Sequence, residues 1–201
     1  MLIVGTGGIA KDLITFWEIV PEYKDTDLCF FNNIDTSNNL MLNKYLVHHT
    51  DEDVLHYFKS VSKEFLVCVG NPLKRYRLTN YFEKLGGELS SFVCGIGQTI
   101  SPEMALGKGI IIQPTTVISK NVIIEKGVFI NAGTIIGHDV IIKEFVSLGP
   151  GVRVLGGVEV GEFSYIGTNS VIMPGVKIGK KVRIGVNLVI DKDVPDNSKI
   201  V

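Results

Sequence analysis

From Ile100 to Ile190 every sixth residue is Ile, Leu or Val, sixteen positions in succession, a period that fits neither an α-helix nor an ordinary strand. The frame three residues later runs from Glu103 to Asp193 without one Ile, Leu or Val. Between them lies a frame holding Pro102, Pro114, Pro150 and Pro174, and two residues before the aliphatic stands Val at 122, 128, 140, 146, 152, 158, 176 and 182. Short strands therefore alternate with Pro/Gly corners. A six-residue unit of strand plus corner turns the chain by a third of a circuit, so residue i should lie beneath residue i+18. Five coils over residues 100–189, about 4.8 Å apart, give a prism with its aliphatics inside.

The preceding residues are punctuated differently. Leu2-Ile3-Val4 reads as a buried strand, Gly5-Thr6-Gly7-Gly8-Ile9-Ala10 as a glycine turn, and Ala10, Leu13, Ile14, Trp17 and Val20 as one helix face. Further strands are expected at 28–31, 65–69 and 89–93, with helices at 52–60 after a Thr50 cap and at 72–85 before Gly86-Gly87. This alternation predicts a small Rossmann-like parallel α/β domain over 1–95 and a β-helix over 96–201.

Gly5-x-Gly7-x-x-Ala10 suits a diphosphate, because side-chain-free backbone and a helix N-terminus can approach the anion. An NAD ribose needs an acidic residue after the second strand; Asn32 and Asn33 stand there, which favours a nucleotide diphosphate such as a nucleotide-sugar over NAD, with a purely structural turn as the alternative. Gly5, Gly7, Gly8, Asn32 and Asn33 are the candidate contacts, with Asn71 after the third strand as a further contact or a helix cap.

Composition excludes other classes. With 20 Lys+Arg against 21 Asp+Glu there is no basic surplus for nucleic acid or an anionic membrane. Met1 leads straight into Leu2-Ile3-Val4 with no basic segment, and no apolar run is long enough to span a bilayer, so a cytoplasmic protein is expected. Cys29, Cys68 and Cys94 form no CxxC pair, so reduced thiols and no metal are expected.

Of the four histidines, His138 alone lies in the repeat, in the corner frame, where its side chain should face outward. Eighteen residues on is Gly156, which places a bare backbone N–H one coil above the imidazole. A base and an oxyanion donor about 5 Å apart is the pairing that acyl transfer needs. Asp139 is a candidate to hold the imidazole tautomer, from its own chain or a neighbouring subunit, although adjacent residues on a strand point to opposite faces.

The units Ile136-Gly137, Val160-Gly161, Ile166-Gly167, Ile178-Gly179 and Ile184-Gly185 resemble the hexapeptide-repeat, left-handed parallel β-helix acyltransferases. The whole chain, with its glycine-turn domain, Ile130-Asn131-Ala132-Gly133-Thr134-Ile135-Ile136-Gly137-His138-Asp139-Val140 and Gly156-Gly157-Val158, is similar to the sialic acid O-acetyltransferase and bacillosamine-type sugar N-acetyltransferase family. That resemblance implies a homotrimer, acetyl-CoA along the β-helix between subunits, and a nucleotide-sugar on the N-terminal domain. It makes His138 the base, Gly156 the amide that meets the acetyl carbonyl and Asn131 a sugar-facing residue. Gly157, Ile166 and Ser147 are the other expected cofactor contacts, Ser147 standing where members often carry a second histidine. The chain departs from the family at Gly7-Gly8-Ile9, where many members have Gly-Gly-His, and at Asn32-Asn33, where an Asp pair is common. It ends at Val201, where members usually add a Gly-x-Pro-Ala-Lys segment, so either coenzyme A is held less fully or the sequence is truncated. A γ-type carbonic anhydrase would need three histidines per zinc, and the repeat holds one. A transferase acting on a free sugar or other small acceptor, and a non-catalytic β-helix scaffold, are the remaining alternatives.

Overall fold

A computed structural model describes residues 1–23 and 26–201. The chain separates into two compact units, Met1–Gly70 with Lys74–Ser91, and Asn71–Leu73 with Phe92–Val201.

The first unit is built on a six-stranded sheet. Its elements are β1 (Leu2–Val4), α1 (Gly8–Ile19), β2 (Cys29–Phe31), β3 (Leu40–Met41), β4 (Tyr45–His48), α2 (Asp51–Ser60), β5 (Glu64–Val67), α3 (Pro72–Lys84, whose first two residues group with the second unit) and β6 (Glu88–Leu89). The strand order is β3-β4-β2-β1-β5-β6, parallel except for the β3–β4 pair. Leu2, Ile3 and Val4 are at most 2% exposed, as befits a central parallel strand covered on both faces. Ala10, Leu13, Ile14 and Trp17 are the buried stripe of α1. Thr50 and Asp53 form a capping box on α2, satisfying two N–H groups that the helix cannot. The β3–β4 hairpin was not expected; Leu42 and Asn43 turn it with φ of 51° and 55°, and no Gly or Pro marks the bend.

The strand expected over 89–93 is in fact two. Glu88–Leu89 completes the first sheet, whereas Phe92–Val93 pairs with Ile111–Ile112 and opens the prism. The prism has three walls of seven, six and five short parallel strands. Within it the register is 18 residues, as in Phe129↔Ser147, Ile135↔Arg153 and Ile141↔Glu159. The five-coil expectation therefore falls short at both ends. Val93 pairs with Ile112 across 19 residues and Ile184 with Ile200 across 16, so one extra residue and two missing ones break the sequence frame while the ladder continues. Six spacings on the longest wall make it roughly 29 Å tall.

Inside lie the period-six aliphatics, apart from the exposed Leu106, and the residues two before them, since alternate strand residues share a face. Where the inner residue is polar its hydroxyl is bonded: Thr116 to Gln113 O (2.7 Å), Thr134 to Asn131 O (2.7 Å), Ser164 to Gly179 O (2.8 Å) and Ser170 to Gly185 O (2.9 Å). The frame that excludes Ile, Leu and Val is the left-handed corner residue. Asn121, Asp139, Phe145 and Asn169 there have φ of 55–58°, and Gly133 and Gly157 have 71°. A β-branched side chain is strained in that conformation, whereas Gly, Asn and Asp tolerate it. Cys29, Cys68 and Cys94 are buried and free, and no helix among the described residues is long and apolar enough to cross a membrane.

Candidate active site

The corner at Gly137-His138-Asp139 follows the strand Ile135–Ile136 and precedes Ile141–Ile142. Its backbone ladder uses the second corner residue: Asp139 N–H donates to Lys120 O (3.1 Å), Gly157 N–H to His138 O (2.9 Å) and Gly175 N–H to Gly156 O (3.0 Å). The first corner residue accepts through its carbonyl but its own N–H stands outside that ladder, which is why proline is accommodated at 102, 114, 150 and 174. Ala132, Glu144 and Lys180 instead give this N–H to the side chains of Gln113, Glu125 and Asp196. Gly156 is a first corner residue, and its N–H meets no acceptor among the described residues.

His138 lies directly under it. A Cβ built on Gly156 would come within 2.7 Å of both Cε1 and Nε2 of the imidazole, so only glycine leaves the ring room. The same holds beneath, where a Cβ on Gly137 would lie 2.7 Å from the Gly156 nitrogen. His138 is open to solvent, with 71% of its side chain exposed. Its Nδ1 is 2.7 Å from Asp139 Oδ2. The hydrogen bond to His138, and then that from Asn121, hold the Asp139 carboxyl below its ordinary range. An ionised carboxylate can only accept, so Nδ1 carries a proton, and in the neutral ring Nε2, on the edge facing Gly156, holds the lone pair. The expectation that adjacent residues diverge fails here because 138 and 139 form a turn, and the left-handed Asp139 bends its carboxylate back to the ring.

His138, Asp139, Gly156 and Gly157 are thus brought together on one corner, and Asn121, missed in the sequence, joins them. Asn131 is on the preceding corner, its Nδ2 donating to Leu148 O (2.6 Å). Ser147 sits in an outward strand position yet is 1% exposed, so it presents no open surface for a cofactor. Ile166 is 0% exposed and part of the prism core, so the contact expected of its side chain is not available.

In the first unit, Gly5 has φ of +110° and donates its N–H to Phe31 O (3.0 Å), a turn that requires glycine. Gly7 caps α1 without a side chain, and a Cβ on Gly7 or Gly8 would meet nothing within 4 Å, leaving open space at the helix N-terminus. Beside it is a cleft of about 280 Å³ lined by Thr6, Lys11, Asn32, Asp35, Asn38 and Met41, among others. Asn32 Nδ2 donates to Thr6 Oγ1 (2.8 Å), joining the end of β2 to the glycine turn, and His49 Nδ1 bonds Asn32 O (2.6 Å). Asn33 is exposed and does not line the cleft, and Asn71 groups with the second unit rather than with the glycine turn. Lys11, Asp35 and Asn38 carried no motif; Asp35 and Asn38 are placed by the unexpected hairpin and its approach loop.

Residues 157–192 match the family of bacterial transferase hexapeptides (six repeats). No curated protein matches the chain. Among solved structures, the chain is similar to the acetyltransferase domain of PglB from Neisseria gonorrhoeae FA1090 in complex with acetyl coenzyme A, at 25% identity and a TM-score of 0.86, covering 98% of this chain and 93% of that one. It is also similar to PerB from Caulobacter crescentus in complex with CoA and GDP-perosamine, at 25% identity and a TM-score of 0.84, over 97% and 90% of the two chains. WeeI from Acinetobacter baumannii AYE shares the fold at 23% identity, with a TM-score of 0.87 over 98% and 94%. These likenesses run through the α/β unit and the left-handed parallel β-helix alike, so the chain shares the fold of these structures across both units.

Proposed function

We propose that the protein transfers the acetyl group of acetyl-CoA to an amino group on a nucleotide-linked sugar, with His138 as general base and the Gly156 amide as oxyanion donor. The observation that carries this reading is the Gly156 amide, without an acceptor, over the Nε2 edge of an imidazole whose other nitrogen is bonded to a carboxylate. The PglB domain holds acetyl coenzyme A and PerB holds CoA with GDP-perosamine, which supports the donor and the acceptor class.

In this reading the sugar amine attacks the thioester carbonyl while His138 Nε2 takes the proton that the amine loses. Asp139 holds the ring in the Nδ1–H tautomer and stabilises the imidazolium. The C–N bond forms, the carbonyl oxygen becomes an oxyanion, and one backbone donor to it is worth roughly 3 to 4 kcal/mol. Collapse breaks the C–S bond and releases coenzyme A as thiol, with the imidazolium as proton source. The cleft at Thr6, Lys11 and Asn32 takes the nucleotide diphosphate, its ammonium and open helix N-terminus matching the anion's charge.

The active species is a homotrimer. Val117 and Ile135, neighbours on the wall that ends at the His138 corner, are 36% and 38% exposed, and Val189 on the same wall beyond Arg153 is 66% exposed, apolar surface suited to a second copy.

The deciding experiment incubates nucleotide-linked amino- and hydroxy-sugars with acetyl-CoA and follows thiol release. The expected result is turnover on an amino-sugar, with His138→Asn lowering kcat by roughly 10² to 10⁴. Near-normal turnover by that variant would remove His138 as the base, and turnover on hydroxy-sugars alone would move the acceptor from nitrogen to oxygen.

A further inference from the structure

The His138–Asp139 pair is not isolated on its corner. Asn121 is 18 residues before Asp139 and so one coil away in the same column, and both adopt φ of 58°. Its Nδ2 donates to Asp139 Oδ1 at 3.1 Å, while Asp139 Oδ2 faces His138 Nδ1 at 2.7 Å. The two carboxylate oxygens are thus divided between two partners on different coils. An exposed aspartate beside its histidine would otherwise be free to rotate about its side-chain torsions and exchange oxygens.

We infer that Asn121 is a positioning residue for the His138 base, fixing through Asp139 which carboxylate oxygen meets the imidazole and at what angle; the inference rests on the reading of His138 as base.

The chemistry of the amide suits that task. It is a neutral donor, so it orients the carboxylate without neutralising the charge that His138 needs beside it. The charged neighbour on the same coil, Lys120, directs its ammonium to Glu103 at 3.7 Å. A left-handed corner alone does not ask for this bond: Gly fills the same frame at 109, 127, 133, 151, 157 and 175.

That substitution pattern supplies the test. Asn121→Gly keeps the backbone conformation and removes only the amide. Asn121→Asp keeps the shape and sets a second carboxylate against Asp139. Asn187→Gly, at a corner residue with the same conformation (φ 57°) away from this column, is the control for general effects on the coil. In the full-length enzyme, Asn121→Gly is expected to lower kcat roughly tenfold with KM for both substrates nearly unchanged, and Asn187→Gly to leave both as they are. Asn121→Asp is expected to raise the titration midpoint of the His138 ring, read by NMR without substrates, by roughly half a unit or more, because added negative charge favours the imidazolium. The acid limb of kcat/KM should move to higher pH with it. A kcat for Asn121→Gly equal to the parent's would overturn the inference, as would an unmoved ring titration in Asn121→Asp. Full turnover by His138→Asn is a separate outcome: it removes the base assignment, whereas the other two remove Asn121 alone.

Discussion

Gly156 shows how much a missing side chain can carry. Its backbone conformation does not call for glycine, since it is not among the positive-φ residues, and alanine occupies the equivalent corner position at Ala132. What requires glycine is the imidazole below, 2.7 Å from where a Cβ would be. Gly156→Ala should therefore fold with a melting temperature close to the parent's and lose kcat by roughly 10²-fold as the ring is displaced from under the amide; circular dichroism and thiol release on the same preparation check both halves. The stacking of 138 under 156 was legible because it needs only counting by eighteen. The bond from Asp139 was less so, for an alternation rule that holds along strands says nothing of a left-handed turn, and Asn121 was hidden for the same reason. Ser147 and Ile166 could be assigned to a coil by their spacing, but spacing does not report what covers an outward residue, nor that Ile166 is spent on the core.

Among the elements, those with their own local signals were readable. The Thr50 cap announced α2, and the reciprocal bonds of a capping box are present, Thr50 N–H to Asp53 Oδ2 at 3.2 Å and Asp53 N–H to Thr50 Oγ1 at 3.2 Å. The hydrogen bond from the Thr50 hydroxyl holds the Asp53 carboxyl below its ordinary value of 3.8. A carboxyl depressed in the folded state stabilises the fold above the unfolded-state value and stops doing so as pH falls through its own lowered one. Thr50→Ala should cost about 1 kcal/mol near neutrality, and the difference from the parent should shrink below about pH 4; urea melts at pH 7 and pH 3 measure it. The β3–β4 hairpin had no such signal. Its turn is Leu42-Asn43, a pair in which only Asn favours the left-handed region, so the loop that places Asp35 and Asn38 at the cleft went unread. The 89–93 segment failed otherwise: its apolar residues fit either sheet, and only the ladder with Ile111–Ile112 decides where Phe92 and Val93 go.

For the molecule as a whole, the repeat dictates a prism, and the insertion and deletion at its ends conceal how far that prism extends. The outward residues are free of that constraint, so exposed aliphatics on one wall need another cause. With Val117, Ile135 and Val189 at a trimer interface, Ile135→Asp should leave the monomer folded, since Arg153 occupies the same outward position one coil on, and shift sedimentation from trimer to monomer with loss of activity. A variant still sedimenting as the parent does would place the interface elsewhere. The corner amide that the ladder ignores has a wider result. Proline, lysine, alanine, glutamate, histidine and glycine all occupy that site along one rod, so an exchange there leaves the ladder between coils intact. Reactivity in such a scaffold is thus detachable from its architecture: one codon could disarm the corner or arm another, and the rod would register no difference.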